Sequence, residues 1–312
     1  MNSVEPAFNE HMFKEKLFNI GIEEIDQKDY LKVMKSVPSD YKYKLSEFIL
    51  NRTKEGKRLK TIESYIIDLK QLIKYLELKE KEIDQLEDGD IERYKNYLLK
   101  HGLKAKSINR KLASINQFLK YIGSQVKFKK IKEQRNNFLN DVLTKEEIEK
   151  LLKSCKDNIR NKTIMFTLYK TGLRVSELLK LTIGDANKKA IDIEGKGGKY
   201  RKIPIPKSVK ESWNEYLKVR IRDDSNKLFI GTQGPLKRSS INSIIKKHAG
   251  IAKVKKEKAH PHNFRHAFCK ALVENGVPIE TIADLAGHSS LETTRIYTTK
   301  TEKELRDILD DM

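Results

Sequence analysis

The sequence predicts a mainly α-helical (α+β) protein in two modules: a small all-helical one, then a larger, mostly helical one with a small antiparallel β-sheet. Three observations lead there. Apolar residues recur at steps of three and four through most of the chain. One stretch alone, residues 189–206, reads as two short alternating runs around a turn. A polar, basic segment without a clear period, residues 125–138, separates the two periodic regions and reads as a linker.

Residues 1–38 read as an irregular or partly helical leader of unknown role, ending at "SVPSD". In "KRLKTIESYIIDLKQLIKYLEL", Leu59, Ile62, Ile66, Leu69, Ile73 and Leu76 define an amphipathic helix whose opposite face carries Lys60, Lys70 and Lys74. "DIERYKNYLLKHG" predicts a helix stopped by Gly102. "SINRKLASINQFLKYIG" predicts another, with Ser107 as N-cap and Gly123 as the stop. These helices make up the small module over 39–124.

The larger module spans 139–312. "LTKEEIEKLL" opens a helix with Thr144 and Glu147 at capping-box spacing. "NKTIMFTLYKTGLRVSELLKL" reads as two helical stretches broken at Gly172, and "KAIDIEGKGGKYRKIPIP" as the hairpin. "SSINSIIKKHAG", "NFRHAFCKALVENG" and "IETIADLAG" add three helices, and "EKELRDILDD" a short one in the tail.

The 64 Lys+Arg against 44 Asp+Glu give a formal net charge of +20. That excess suits a polyanionic partner, because each phosphate contact releases condensed counterions. A lysine-rich surface produced by AT-rich codons gives the same number, so charge alone argues association and nothing finer. Cys155 and Cys269 lie far apart, without disulfide or zinc spacing, and fit a reducing cytosol. No apolar stretch reaches the length of a membrane span, and the first residues lack the order of a signal peptide. A cytoplasmic location is expected, with no membrane partner.

The chemistry concentrates in "AHPHNFRHAF", which packs His260, His262, Arg265 and His266 into ten positions of a chain with seven histidines. A metal site and a grip on an anion are the two broad readings. Against the metal, Arg265 puts a fixed cation among the imidazoles, no acid occurs between Glu257 and Glu274, and HExxH is absent. His260 and His248 read as structural histidines. His262 and Arg265, three apart, share one face of a helical start. Arg174, set among Leu173, Val175, Leu178 and Leu179, needs an acid or an anion, and Glu177 is the partner at hand. Two such arginines can clamp phosphate oxygens through their rigid forks. "EGKGGK" turns a hairpin and opens no helix, so it is not a nucleotide loop; neither metal nor cofactor is expected.

At these residues the chain resembles the tyrosine site-specific recombinases, the group of Xer proteins, Cre and phage integrases. The resemblance spans roughly residues 40–300. "TGLRVSEL" resembles the family's first arginine box, "GKGGKYRKIPI" its lysine-bearing hairpin and "HNFRHAF" its His-x-x-Arg-His box. "LAGHSSLETTRIYT" resembles the Gly-His segment followed nine residues later by the nucleophilic tyrosine. The resemblance implies that the small module is a core-type DNA-binding domain and the larger one the catalytic domain. It implies a role for each matched residue as well. Tyr297 attacks the scissile phosphate, forming a 3′-phosphotyrosyl link and releasing a 5′-hydroxyl. His262 accepts the phenol's proton, Arg174 and Arg265 hold the non-bridging oxygens, and His288 donates a further hydrogen bond. Lys196, ahead of its neighbour Lys199, protonates the leaving oxygen. Glu177 orients Arg174, and His266 braces the site without touching phosphate. Tyr169 and Tyr200 read as packing residues.

The implied partners are double-stranded DNA target sites, a homo-tetramer on two sites formed by exchange of C-terminal tails, and an accessory DNA-bending or excisionase protein. Strands are exchanged through a Holliday junction, in Xer-type resolution or in integration and excision of a mobile element, at the nucleoid. A type IB topoisomerase-like relaxing enzyme, a catalytically silent accessory protein and a metal nuclease are the rivals. The helical first module and the tail favour the recombinase over the first, the filled catalytic positions over the second.

Overall fold

A computed structural model of the chain describes residues 7–35, 37–133, 141–194, 200–221, 224–288, 290–298 and 310. The chain divides into two units, residues 1–135 and 136–312.

In unit 1 the apolar spacing becomes six helices: α1 (Glu10–Asn19), α2 (Glu24–Lys35), α3 (Lys42–Lys54), α4 (Leu59–Glu77), α5 (Asp88–Lys100) and α6 (Ala105–Tyr121). The leader, expected to be irregular or partly helical, forms α1 and α2. Asn9 caps α1 by accepting the Met12 amide, and Phe13, Leu17, Tyr30, Val33 and Met34 join the same buried cluster as Phe48, Leu69 and Phe118. On α4 the seam residues Ile62, Ile66, Leu69, Ile73 and Leu76 are buried, while Lys60 and Lys74 face outward. α4 packs on α6 around Asp68, which is fully buried. Its carboxylate accepts Arg110 Nη1 and Nη2 (2.7 and 2.8 Å), Lys111 Nζ (3.1 Å) and Ser114 Oγ (2.7 Å). Four donors supply what water would have given, which is how a buried carboxylate is tolerated.

Two expectations for unit 1 need correction. α6 starts before Ser107: the Lys104 carbonyl already accepts the amides of Ser107 and Ile108, so Ser107 sits inside the first turn and caps nothing. The first part of the expected linker is packed down. Asn109 bonds both the amide and the carbonyl of Ile131 (2.8 and 2.9 Å), Lys95 Nζ donates to the Lys129 carbonyl (2.9 Å), and Phe128 and Ile131 cover the core. Side chains from α5 and α6 thus replace the ladder partners that this non-periodic segment lacks. The rest of the segment, 134–138, lies outside the described residues.

Unit 2 holds α7 (Lys145–Ser154), α8 (Ile159–Thr171), α9 (Val175–Leu178), strands β1 (Ala190–Glu194) and β2 (Tyr200–Pro204), α10 (Lys207–Val219), the two-residue strands β3 (Ile230–Gly231) and β4 (Gly234–Pro235), α11 (Arg238–Ile251), α12 (Pro261–Glu274), α13 (Ile279–Ala286) and α14 (Glu292–Arg295). The Thr144–Glu147 capping box forms as the spacing predicts. β1 and β2 pair antiparallel from Ala190↔Pro204 to Glu194↔Tyr200. β3 and β4 make a second antiparallel pair that the sequence does not predict, since two residues show no alternation. The mainly α class with small antiparallel sheets holds. Ile164, Leu168, Trp213, Ile245 and Phe264 form the centre of the core, with α8 packed against both α10 and α12. That packing sets the end of α8 beside α12. Among the described residues no helix is long and apolar enough to cross a membrane.

Candidate active site

Two helix C-termini build the cationic part of the site. α8 ends at Gly172 (φ 61°) and α13 at Gly287 (φ 62°), both left-handed. A Cβ at Gly172 would overlap the Phe268 ring, and one at Gly287 the Arg201 guanidinium, so sterics and backbone both require glycine. The last carbonyls of a helix have no partner within it and carry its negative pole. Here arginines take them. Arg265 donates from Nη1 to the Gly172 carbonyl (2.8 Å) and from Nη2 to that of Ala286; Arg174 donates from Nη2 to that of Gly287 (2.8 Å).

Arg265, on α12, is 1% exposed, and its Nε is buried without a hydrogen-bond partner among the described residues. Burial first, then the Arg174 charge, lowers its pKa to about 10. Arg174 precedes α9 and makes the ion pair with Glu177 that its surroundings demanded (3.0 Å). Glu177 is itself buried. Burial pushes its pKa up, but the Arg174 amide and the Arg201 charge outweigh that and hold it below the usual carboxylate range. Arg201, on β2, completes this cluster: its Nη1 and Nη2 fork the two Glu177 oxygens (3.2 and 3.0 Å).

Beside the arginines lie the imidazoles and the phenol. Tyr297 is 5% exposed and packs with Cys269, Ile282 and Ala286. Its hydroxyl shares a 2.7 Å hydrogen bond with His266 Nδ1, and its ring lies parallel to that of His288, centroids 6.0 Å apart. Burial and the adjoining Cys269 thiol raise the phenol's pKa above its ordinary value, while Arg265 pulls it down. His262 is exposed and packs edge-on to His266, centroids 4.3 Å apart. In this arrangement His266, and not His262, holds the tyrosine hydroxyl. His288 Nδ1 pairs with Thr294 Oγ1 (2.8 Å), the hydroxyl of a fully buried residue. When that hydroxyl donates to Nδ1, Nε2 carries the proton and is the ring's donor.

His266 and His288 are held neutral. Burial first, then the neighbouring His262 and the Arg265 charge respectively, lowers each pKa to about 4. An unfolded imidazole titrates near 6.5, so between about 6.5 and 4 the unfolded chain binds more protons than the folded one. The stability these groups contribute is complete above that window and lost as pH falls through it. Calorimetric melting of unit 2 within the full-length protein, from about pH 7 down to 5, is expected to show a steadily falling transition temperature. A flat profile contradicts the assignment.

The site gathers Arg174, Glu177, Arg265, His266, His288 and Tyr297. Lys196 and Lys199 fall in 195–199, outside the described residues. His248 is a satisfied core histidine bonded to Ser154 and Asn161 (3.0 and 3.2 Å), and His260 caps α12 by accepting the Asn263 amide. Sequence reasoning misses Arg201, Thr294 and Cys269. Thr294, three residues before the tyrosine, carries a faint signal; the others carry none. Among the described residues no cluster of His, Cys, Asp and Glu is arranged to hold a metal ion.

Comparison with known proteins bears on both units. Residues 41–125 match the phage integrase N-terminal SAM-like domain, and residues 141–304 match the phage integrase family. Tyrosine recombinase XerA of Pyrococcus furiosus is 34% identical over 281 residues, 85% of this chain and 92% of that protein. Tyrosine recombinase XerC of Staphylococcus saprophyticus is 29% identical over 268 residues, 80% of this chain and 89% of that protein. Among solved structures, the XerA recombinase crystal structure is 27% identical with a TM-score of 0.50, covering 86% of this chain and 97% of that one. XerH bound to a palindromic difH substrate, in a post-cleavage complex, shares the fold at a TM-score of 0.73 with 19% identity, covering 96% and 93%.

Proposed function

The chain belongs to the phage integrase family of tyrosine recombinases, and from that membership we propose how it performs site-specific recombination. Tyr297 attacks the scissile phosphate of double-stranded DNA; its oxygen bonds to phosphorus, the 5′ oxygen leaves, and a 3′-phosphotyrosyl link conserves the ester for rejoining without ATP. A phenol of ordinary pKa about 10 needs a proton acceptor at neutral pH. His262 takes that role at the phosphate, and His266, which bonds the hydroxyl at 2.7 Å, braces the tyrosine. Arg174 and Arg265 hold the non-bridging oxygens, whose charge grows in the pentacoordinate transition state. His288 donates from Nε2, and Glu177 orients Arg174. Lys196 protonates the departing 5′ oxygen.

One observation carries this reading: a fully buried Arg265 whose terminal nitrogens meet only backbone carbonyls, beside two further arginines that share one carboxylate among the described residues. The surplus positive charge is matched to an anion, and the nucleophilic phenol stands next to it. Strand exchange between two sites through a Holliday junction, a homo-tetramer joined by C-terminal tails, a DNA-bending or excisionase partner and a place at the cytoplasmic nucleoid belong to the same proposal. On unit 1, Arg110, tethered by Asp68 beside Lys60 and Ser64, adds cationic surface suited to the duplex.

The experiment is adduct formation on a nicked suicide substrate in EDTA. A covalent protein–DNA species is expected, since arginines supply the charge that a metal gives other phosphoryl-transfer enzymes; its absence contradicts the mechanism. Lys196→Ala is expected to slow cleavage by about 10²-fold or more. A 5′-thio leaving group, which departs without a proton, is expected to restore the rate. Failure of that rescue removes Lys196 from the role.

A further inference from the structure

We propose that Arg201 is a positioning residue for DNA cleavage, holding Arg174 against the scissile phosphate through Glu177 and Gly287 while leaving the Arg174 charge available. The inference rests on the recombinase mechanism above and adds a third guanidinium to it.

Arg174 has two anchors. Its Nη1 donates to Glu177 Oε1 (3.0 Å) and its Nη2 to the Gly287 carbonyl (2.8 Å). Arg201 touches both. Its fork engages the two Glu177 oxygens, and its guanidinium lies against Gly287 so closely that a Cβ there would overlap it. Glu177 therefore receives four N–H groups, from the Arg174 amide, Arg174 Nη1 and both Arg201 terminal nitrogens, and has no freedom to rotate.

Charge makes the same point. A carboxylate paired with Arg174 alone would hold it in place but cancel the charge that the phosphate requires. With Arg201 sharing Glu177, the trio keeps one net positive charge at the phosphate-facing end. The exposures divide the labour: the Arg174 side chain is 40% exposed and that of Arg201 15%. Arg201 is the more buried of the two and spends its fork on the Glu177 carboxylate, so its action on the phosphate runs through Glu177 and Arg174. Its strand links it to the hairpin as well. Arg201 pairs with Ile193 across β1 and β2, so one residue belongs to the strand ladder through its backbone and to the Glu177 carboxylate through its side chain.

The test is single-turnover adduct formation at saturating DNA by full-length wild type, Arg201→Gln and Arg201→Lys. Each is assayed on a phosphodiester substrate and on one with a neutral methylphosphonate at the scissile position. Arg201→Gln is expected to lower the phosphodiester rate by about 10²-fold with DNA affinity little changed, the scale of a misplaced catalytic group. Arg201→Lys, which keeps charge but not the fork, is expected to fall between. On the methylphosphonate, where less charge develops, the deficit relative to wild type is expected to shrink to within about tenfold. An equal deficit on both substrates means a merely structural role and overturns the proposal, as does a wild-type rate in Arg201→Gln. If Arg201→Gln does not fold by circular dichroism, Arg201→Lys is read by the same criteria. Wild type that forms no adduct refutes the recombinase mechanism itself, a separate outcome.

Discussion

Replacing Tyr297 by Phe is expected to abolish the covalent protein–DNA adduct completely while duplex binding persists. The substitution removes one atom. The ring remains in its cluster with Cys269, Ile282 and Ala286 and against His288, so packing is preserved. The lost contact is the hydrogen bond to His266, worth roughly 1 kcal/mol, too little to unfold unit 2. Denaturing electrophoresis after incubation with a nicked duplex reads the adduct, and a gel shift reads binding. A remaining adduct at full yield would assign the attack to another phenol, with Tyr200, 72% exposed, the accessible candidate.

Arg265→Met is expected to lower the cleavage rate on the order of 10³-fold without lowering the melting temperature. The two halves of that outcome have different origins. On the proposed mechanism, cleavage loses the fork that meets the growing phosphate charge. Stability loses two hydrogen bonds, to the carbonyls of Gly172 and Ala286, but also sheds a buried cation that forms no ion pair among the described residues. A buried cation without an ion-pair partner carries a desolvation cost that an apolar side chain of similar length does not, and this offsets the two lost hydrogen bonds. The lowering of the Arg265 pKa to about 10 points the same way: burial and Arg174 already work against its charge. A large fall in melting temperature together with activity would mean that Arg265 serves the fold first.

Much of this site was legible in the sequence, for a physical reason. Arg174 announced itself as a cation in an apolar run, and its partner Glu177 lay one turn on, so both ends of the interaction fell within four residues. The helical faces of α4 and α7 were legible because burial repeats at the helical period. What escaped had partners far along the chain. Arg201 meets Glu177 across 24 positions and reads locally as one basic residue in a basic strand. Asn109, which ties down Ile131, looks like any polar helix residue until the fold brings residue 131 to it. The hold of His266 on Tyr297 was hidden as well: two neighbouring imidazoles on α12 offered the same chemistry, and only packing chose between them. Lys196 stands outside the described residues and remains part of the proposal.

The helices ahead of residue 41, where the family match begins, are inseparable from the module they precede. Phe13 and Leu17 from one and Tyr30, Val33 and Met34 from the other are interior residues of unit 1. A shortened protein started at the family boundary would begin life with that interior laid open to water and to its own copies. A truncated form that keeps this interior covered therefore starts upstream of Asn9, the cap of the first helix.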